Sequence, residues 1–227
     1  EAFSRTLDWA IRMVLLIGLP AALALAVLAE PLLSTLFQYG EFTAFDVAKT
    51  AESLRAYSAG LLAAMLIKVL APGFYARQDT RTPVKIGVIA MLANMAFGAM
   101  LVWEWRHVGL ATAMALSAWL NAGLLYLGLR RAGVYQPLKG WLFHWGRMVA
   151  AGVAMAAATY WLSLQTQAWT EAGVWNRVGW LSLIVASGLA IYGISLLLLG
   201  LLGGWGEGMG TSIAHILESP TAFLTAF

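Results

Sequence analysis

The sequence predicts an all-α fold, a polytopic bundle of transmembrane helices with six spans. Of its 227 residues, 61% are hydrophobic and only 11% are charged, whereas a soluble domain carries roughly a quarter charged residues. Six apolar runs bounded by charges, glycine or proline are each long enough to cross a hydrocarbon core about 30 Å thick. Tryptophans cluster near the ends of these runs, which is typical of the aromatic belt at a membrane interface. These observations exclude a soluble domain.

The six predicted spans cover residues 7–36, 46–71, 84–103, 108–129, 142–164 and 177–203. The first span contains Pro20, and because proline has no N–H to donate we expect a kink there. The second begins near Thr43, which is followed three residues later by Asp46, a spacing that caps helix starts. For the third we expect Thr82 as N-cap and Pro83 as the first helical residue.

The distribution of basic residues predicts the orientation of the spans. Lysine and arginine are enriched in short loops on the cytoplasmic side. With six passes, the side shared by the two chain ends and the loops 73–85 and 129–147 carries nine basic residues, and the opposite side carries four. We therefore expect both ends of this multi-pass chain in the cytoplasm.

The sequence lacks the residues that several classes of protein function need. The net charge is +3 and no basic stripe is present, so nucleic-acid binding is not expected. The chain has no cysteine, and its histidines, at positions 107, 144 and 215, have no acid at metal-ligand spacing. Neither a phosphate-binding glycine loop nor a nucleophile elbow is present. We predict no catalytic residue, no metal, no cofactor and no enzymatic activity. The chain starts at Glu1 without methionine, and we interpret it as a piece of a longer protein.

Two stretches flanking the second span carry a family resemblance. Residues 68–85 read KVLAPGFYARQDTRTPVK and residues 36–46 read LFQYGEFTAFD. Both closely resemble the MurJ (MviN) family of lipid II flippases, within the multidrug/oligosaccharidyl-lipid/polysaccharide exporter superfamily. The likeness covers roughly residues 4–200 and weakens over the last two spans.

The resemblance implies a place in a fourteen-helix transporter, of which this chain is the fragment holding helices 9–14. Residues 1–130 would form the second part of the C-lobe, residues 131–203 an extra helix pair, and residues 204–227 a flexible cytoplasmic tail. Both ends of that stretch are cytoplasmic in the family, in agreement with the orientation expected from the charges.

The resemblance also implies a function and partners. The whole protein would move lipid II, the undecaprenyl-pyrophosphate-linked precursor of peptidoglycan, from the cytoplasmic to the periplasmic leaflet of the bacterial inner (cytoplasmic) membrane by alternating access. Its partners would be lipid II, membrane lipid and the missing N-terminal helices of the same protein. The arginines that bind the pyrophosphate in the family lie largely in earlier helices, so we expect this fragment alone to be inactive.

Two alternative functions remain open from the sequence. Another exporter of the superfamily, for polysaccharide-linked lipids or drugs, would share the fold and composition but lack the loop at residues 71–75. A membrane-embedded enzyme acting on polyprenyl phosphates would need acids or histidines that converge at the interface, and the chain offers only scattered ones.

Lys68 is a candidate for the substrate path because it lies inside the second span. A charge at that depth costs about 2.5–3.5 kcal/mol on insertion scales. It either faces a water-filled cavity or extends along its aliphatic stem to the nearby interface. The two interpretations are equally supported.

Two groups of charges near the cytoplasmic side are further candidates for the substrate path or for gating. Arg77, Asp79 and Arg81 lie in the loop after the second span. They form either a gate in which Asp79 pairs with an arginine or a rigid turn, and the turn is favoured. Arg12 lies four residues after Asp8, at the spacing of an ion pair on a helix, and either meets pyrophosphate or anchors the helix at the interface.

Asn94 and Asn121 are polar residues inside the third and fourth spans. We expect them to hydrogen-bond between helices. A sodium site is not supported, because neither span contains an acid inside the membrane.

Overall fold

The computed structural model describes residues 2–135, 141–166, 169 and 172–199. Within these residues the chain is helical and contains no strand, so the predicted all-α bundle is confirmed. The helices are α1 (Ala2–Val27), α2 (Ala29–Phe37), α3 (Ala44–Leu70), α4 (Pro72–Tyr75), α5 (Arg81–Arg131), α6 (Trp141–Leu164) and α7 (Val174–Leu198). Five of them, all but α2 and α4, are long and apolar enough to cross a membrane.

Helix α5 contains two membrane passes. Its 51 residues would extend about 77 Å if straight, more than twice the thickness of the hydrocarbon core. At Arg106 the backbone leaves the helical region, with φ 47° and ψ −122°. A methyl group added to Gly98 would lie 3.6 Å from the Leu110 side chain and 4.0 Å from Ala113, although residues 98 and 113 would be about 22 Å apart in a straight helix. The chain therefore reverses at Arg106, as predicted by the separate spans at 84–103 and 108–129.

Helix α1 is continuous through Pro20, and the kink expected there stays a prediction. Proline removes the N–H that would bond to the carbonyl of Leu16. The hydroxyl of Tyr192 on α7 donates to that carbonyl at 2.8 Å, which satisfies the group that Pro20 leaves unpaired. The backbone leaves the helical region at Leu28 (φ −95°, ψ 16°), between α1 and α2.

The starts of α3 and α5 show one correct and one incorrect prediction. Thr43 and Asp46 form a capping box, in which Asp46 Oδ2 accepts from the Thr43 N–H at 2.9 Å. Helix α5 begins at Arg81, two residues earlier than expected, and Asp79 Oδ1 accepts from the Thr82 N–H at 3.0 Å. The carboxylate of Asp79 thus replaces Thr82 as the cap, and Pro83 lies in the first turn, where a missing N–H breaks no helical bond.

Small residues bring the helices together. A Cβ on Gly60 of α3 would lie 2.8 Å from the Cα of Ala115 in α5, so only glycine permits this approach of the two backbones. Gly18 of α1 packs against the ends of the Leu62 and Met65 side chains. Helix α6 packs on α1, and α7 packs on α6 and α2. These contacts build one bundle around a core to which α1, α3, α5, α6 and α7 all contribute buried residues.

The bundle has two ends, which we name by one residue each. The Asp8 end contains the start of α1, the turn at residues 76–80 and the end of α5. The Arg106 end contains the α2–α3 loop, the reversal at Arg106 and the start of α7. The predicted division into residues 1–130 and 131–203 stays a prediction, and the predicted tail at 204–227 lies outside the described residues.

Candidate functional site

Lys68 lies near the C-terminal end of α3 on a stripe that this chain leaves uncovered. Tyr57, Ala64, Lys68 and Tyr75 follow one another at intervals of seven or four residues, which places them on one side of the helical path, and all four are exposed. No ion pair links Lys68 to another described residue. The described residues of this chain leave the stripe free to contact molecules or helices outside the chain. The predicted role of Lys68 on the substrate path stays a prediction.

The turn that carries Arg77, Asp79 and Arg81 is held rigidly at the Asp8 end. The carbonyl of Phe74 accepts from the N–H groups of Arg77 at 3.0 Å and Asp79 at 3.1 Å. The ring of Phe74 is buried beside Gly128 of α5. These contacts fix the turn between the end of α3 and the start of α5.

Asp79 serves the helix start and is bonded to Thr82. Hydrogen bonds from the side chain and the backbone N–H of Thr82 lower the pKa of Asp79, and the nearby charge of Arg77 lowers it slightly further. Within the described residues Asp79 makes no ion pair with Arg77 or Arg81, and both arginines are exposed. This geometry favours the rigid turn, while the proposed gate stays a prediction.

Arg12 is part of a buried network at the Asp8 end. Its Nε lies 2.7 Å from Asp8 Oδ2, so the ion pair predicted from the spacing of these residues is present. The Asp8 side chain is 2% exposed and that of Arg12 is 23% exposed. The hydroxyl of Tyr135 donates to the other carboxylate oxygen of Asp8 at 2.9 Å. Asp8 therefore binds one partner on its own helix and one from the turn that follows α5.

Tyr135 reaches Asp8 because the chain turns sharply after α5. Gly133 has φ +69°, a left-handed conformation that glycine adopts without strain, and the N–H of Val134 bonds to Leu129 O at 3.0 Å. This turn buries Tyr135, whose ring packs in a T-shaped arrangement with that of Tyr126, with centroids 5.6 Å apart. Burial and the hydrogen bond to Asp8 raise the pKa of Tyr135, so its hydroxyl stays protonated and can donate.

At the Arg106 end a buried arginine joins α7 to α2. Arg177 is 7% exposed, and its Nη1 donates to the carbonyl of Ser34 at 2.8 Å. Ser34 lies in the last turn of α2, where carbonyls have no partner within the helix. Arg177 thus caps the C-terminal end of α2 with a positive charge, which the helix dipole favours.

This end also has exposed contacts between acidic and basic side chains. Glu52 lies 3.2 Å from Lys49 Nζ and 3.5 Å from His107 Nε2, and Arg55 lies 3.9 Å from Glu30. Among the described residues no three histidine or acidic side chains are arranged to hold a metal ion. Asn94 and Asn121 are half-buried, and neither makes an interhelical hydrogen bond within the described part of the chain. Their role stays a prediction.

Sequence reasoning missed Tyr135, Tyr192 and the partner of Arg177. Each of these side chains bonds to a residue more than a hundred positions away, and no local spacing predicts such a contact. For Tyr192 a weak signal existed, because Pro20 inside a span must leave a carbonyl that needs a donor.

Comparison with known proteins gives one consistent result. The family model described as "Lipid II flippase MurJ" matches residues 1–177. A probable lipid II flippase MurJ of Vibrio cholerae is 48% identical over 201 residues, which covers 88% of this chain and 38% of that protein. The corresponding protein of Haemophilus influenzae is 46% identical over 198 residues, covering 87% of this chain and 39% of its own length.

A solved structure shares the fold. "Lipid II flippase MurJ, inward closed conformation" superposes with a TM-score of 0.73 at 19% identity, over 87% of this chain and 39% of that one. This chain therefore spans about two fifths of the length of the relatives that it matches.

Proposed function

We propose that this chain, which belongs to the MurJ family of lipid II flippases, is the C-terminal part of a transporter that carries lipid II across the bacterial inner membrane. The direction is from the cytoplasmic to the periplasmic leaflet. The observation that carries this proposal is the family match over residues 1–177. The helical bundle supports it, because its helices are long and apolar enough to span a membrane.

In this proposal the chain is a rigid part of one lobe. Alternating access moves two lobes against each other around a central substrate site. The close approach of α3 to α5 at Gly60 and the bond between Asp8 and Tyr135 tie the helices to one another. Since binding a pyrophosphate requires several charge-assisted hydrogen bonds, helices outside this chain supply most of the site.

Lys68 is the residue of this chain that we place on the substrate path. It is exposed on an uncovered stripe of α3, and it has no ion-pair partner among the described residues. We expect the Lys68→Met variant of the full-length protein to insert normally, since a neutral residue is easier to insert, yet to fail to support growth of a flippase-depleted strain. Lys49→Met on the same helix is the matched control and is expected to support growth. Full growth with Lys68→Met would support the interfacial role instead.

The proposed transport function is tested by complementation with the protein expressed as two separate chains. A strain depleted of its flippase receives the full-length protein, residues 1–227 alone, or residues 1–227 with the preceding part as a separate chain. Growth and exposure of lipid II on the outer leaflet are measured. We expect no rescue by residues 1–227 alone and rescue by the two parts together. Rescue by residues 1–227 alone would contradict the proposed division of the substrate site.

Cysteine labelling tests the proposed orientation. This chain has no cysteine, so single cysteines introduced at Glu41 and Ala76 report on opposite ends of the bundle, and both positions are exposed. We expect an impermeant thiol reagent added from the periplasmic side to label Glu41→Cys and to leave Ala76→Cys unlabelled. The reverse pattern would invert the proposed topology.

A further inference from the structure

The first half of α5 carries one exposed face whose chemistry changes along its length. Its residues follow one another at intervals of three or four, which places them on one side of the helix. All of them are exposed, and we call them the α5 face: Arg81, Lys85, Val88, Leu92, Met95, Ala99 and Trp103. The two basic residues come first, at the Asp8 end, and apolar residues continue from there toward the Arg106 end.

The basic end of the α5 face carries positive charge that no described acid neutralises. Neither Arg81 nor Lys85 forms an ion pair within the described part of the chain, and both are exposed. The nearby acid Asp79 accepts from the Thr82 N–H at 3.0 Å. Asp8, at the same end, is buried against Arg12. Arg81 and Lys85 are therefore able to attract an anion from outside this chain.

The length of the α5 face relates it to the membrane. Lys85 and Trp103 are 18 residues apart, and in a helix that distance is about 27 Å, close to the thickness of the hydrocarbon core. Trp103 is 87% exposed, as expected for a tryptophan at the membrane interface. Lys85 therefore lies at the opposite interface, at the level of the lipid headgroups, with Arg81 one turn further out.

The apolar part of the α5 face fits acyl chains better than another helix. Val88, Leu92 and Met95 are 47%, 57% and 66% exposed. These side chains are bulky, whereas faces that pack against a transmembrane helix are enriched in small residues. From Lys85 to Met95 the face extends about 15 Å, which is the depth of one leaflet.

We propose that the α5 face binds an anionic phospholipid. Arg81 and Lys85 donate to the phosphate oxygens of the headgroup, and the acyl chains lie along Val88, Leu92 and Met95. A basic residue near an anionic lipid surface strengthens the attraction about fivefold. The site therefore selects lipids by the net charge of the headgroup, and lipids without net charge occupy it in proportion to their abundance.

Quenching by brominated lipids measures which lipid contacts the α5 face. The full-length protein that contains this chain, with Leu92→Cys as its single cysteine, is labelled with a fluorophore and reconstituted into vesicles of dioleoyl phosphatidylcholine. Brominated phosphatidylglycerol or brominated phosphatidylcholine is then added at equal mole fraction. We expect the anionic lipid to occupy the site at about three times its bulk share or more. Equal quenching by the two lipids would overturn the proposal.

A label on α7 is the matched control for this measurement. Leu189 is 67% exposed, and α7 contains no basic residue other than Arg177 near its start. We expect brominated phosphatidylglycerol and brominated phosphatidylcholine to quench a label at Leu189→Cys within about 1.5-fold of each other. The same preference for phosphatidylglycerol at both positions would overturn the proposal, because the attraction would then belong to the whole protein.

Three double variants of the Leu92→Cys protein test the basic residues. Arg81→Gln with Lys85→Gln is expected to bring the preference to within about 1.5-fold of none. Arg81→Lys with Lys85→Arg keeps both charges and is expected to keep the preference. Arg130→Gln with Arg131→Gln removes two exposed charges from the same end of the bundle but outside the α5 face, and is also expected to keep it. An unchanged preference in the first variant, or its loss in either of the others, would overturn the proposal.

Other occupants of the α5 face give different results. A second transmembrane helix would shield the label at Leu92→Cys from both brominated lipids while the label at Leu189→Cys is still quenched. Lipid II, which also carries phosphate, would relieve the quenching when added at the mole fraction of the phosphatidylglycerol. Either result would overturn the phospholipid as the occupant. The readout is lipid contact, so it does not depend on the proposed transport function.

Discussion

Two ion pairs of similar sequence spacing lie at opposite ends of the bundle and differ in their surroundings. Asp8 and Arg12 approach to 2.7 Å with the carboxylate 2% exposed, whereas Lys49 and Glu52 approach to 3.2 Å with both side chains more than 40% exposed. Exposed pairs contribute about 0–1 kcal/mol, because water and salt screen them. A buried charge that loses its partner costs far more. The comparison shows that surroundings, and not spacing, determine what such a pair contributes.

Asp8→Asn is expected to have the largest effect. It preserves the shape of the side chain but leaves the largely buried Arg12 without its counter-charge, and we expect a loss of about 3 kcal/mol in the free energy of unfolding. Glu52→Gln is the matched control at the Arg106 end. Reversible unfolding of the purified full-length protein measures both. Equal losses in the two variants would refute the distinction between the ends.

Tyr135→Phe tests whether the stability of the Asp8 end depends on Tyr135, the third side chain of the network that it forms with Asp8 and Arg12. The substitution removes one hydrogen bond to a buried carboxylate, and hydrogen bonds to charged groups contribute about 1.5–3 kcal/mol. We expect a loss in the lower part of that range. Tyr126→Phe is the control, because the Tyr126 hydroxyl bonds to no described residue. A result in which both variants behave alike would show that ring packing, and not the bond to Asp8, holds this end.

Tyr192→Phe extends the comparison to an uncharged contact, the bond from Tyr192 to the Leu16 carbonyl, which lies between the two ends of the bundle. Without the hydroxyl, the Leu16 carbonyl that Pro20 leaves unpaired has no donor, and we expect a loss of about 1 kcal/mol. In a Pro20→Ala background the helix supplies its own N–H, so the same substitution should cost close to nothing. The double-mutant cycle is measured by unfolding. Equal costs in both backgrounds would mean that Tyr192 acts through packing.

Glu52→Gln is expected to have the smallest effect, about 0.5 kcal/mol or less. The small loss should vanish at about 1 M salt, where the screening length is about 3 Å. The penalty of Asp8→Asn should persist under the same conditions, since the buried pair is screened much less. Unfolding measured at low and high salt checks both statements, and a salt-sensitive Asp8→Asn penalty would place Asp8 in contact with solvent.

The sequence predicted what depends on local patterns. The apolar runs identified the spans, the spacing of Thr43 and Asp46 identified a cap, and the spacing of Asp8 and Arg12 identified an ion pair. The prediction at Thr82 was wrong because α5 begins earlier, at Arg81, and Asp79 accepts from the N–H of Thr82 itself, so Thr82 lies inside the first turn.

Long-range contacts escaped prediction for a different reason. The bonds of Tyr135 to Asp8, Tyr192 to Leu16 and Arg177 to Ser34 join segments that only the folded bundle brings together. The same holds at Pro20. The Leu16 carbonyl that it leaves unpaired accepts from a hydroxyl of the last described helix, which no local pattern around Pro20 reveals.

The reversal at Arg106 has a consequence for how the chain enters the bilayer during synthesis. A single non-helical residue separates the two halves of α5, and at Gly109 the second half contacts the backbone of Leu101 in the first. We expect the two halves to insert into the bilayer as one helical hairpin, so that Glu104, Arg106 and His107 cross the hydrocarbon core together. A spacer inserted at Arg106 would turn that one step into two.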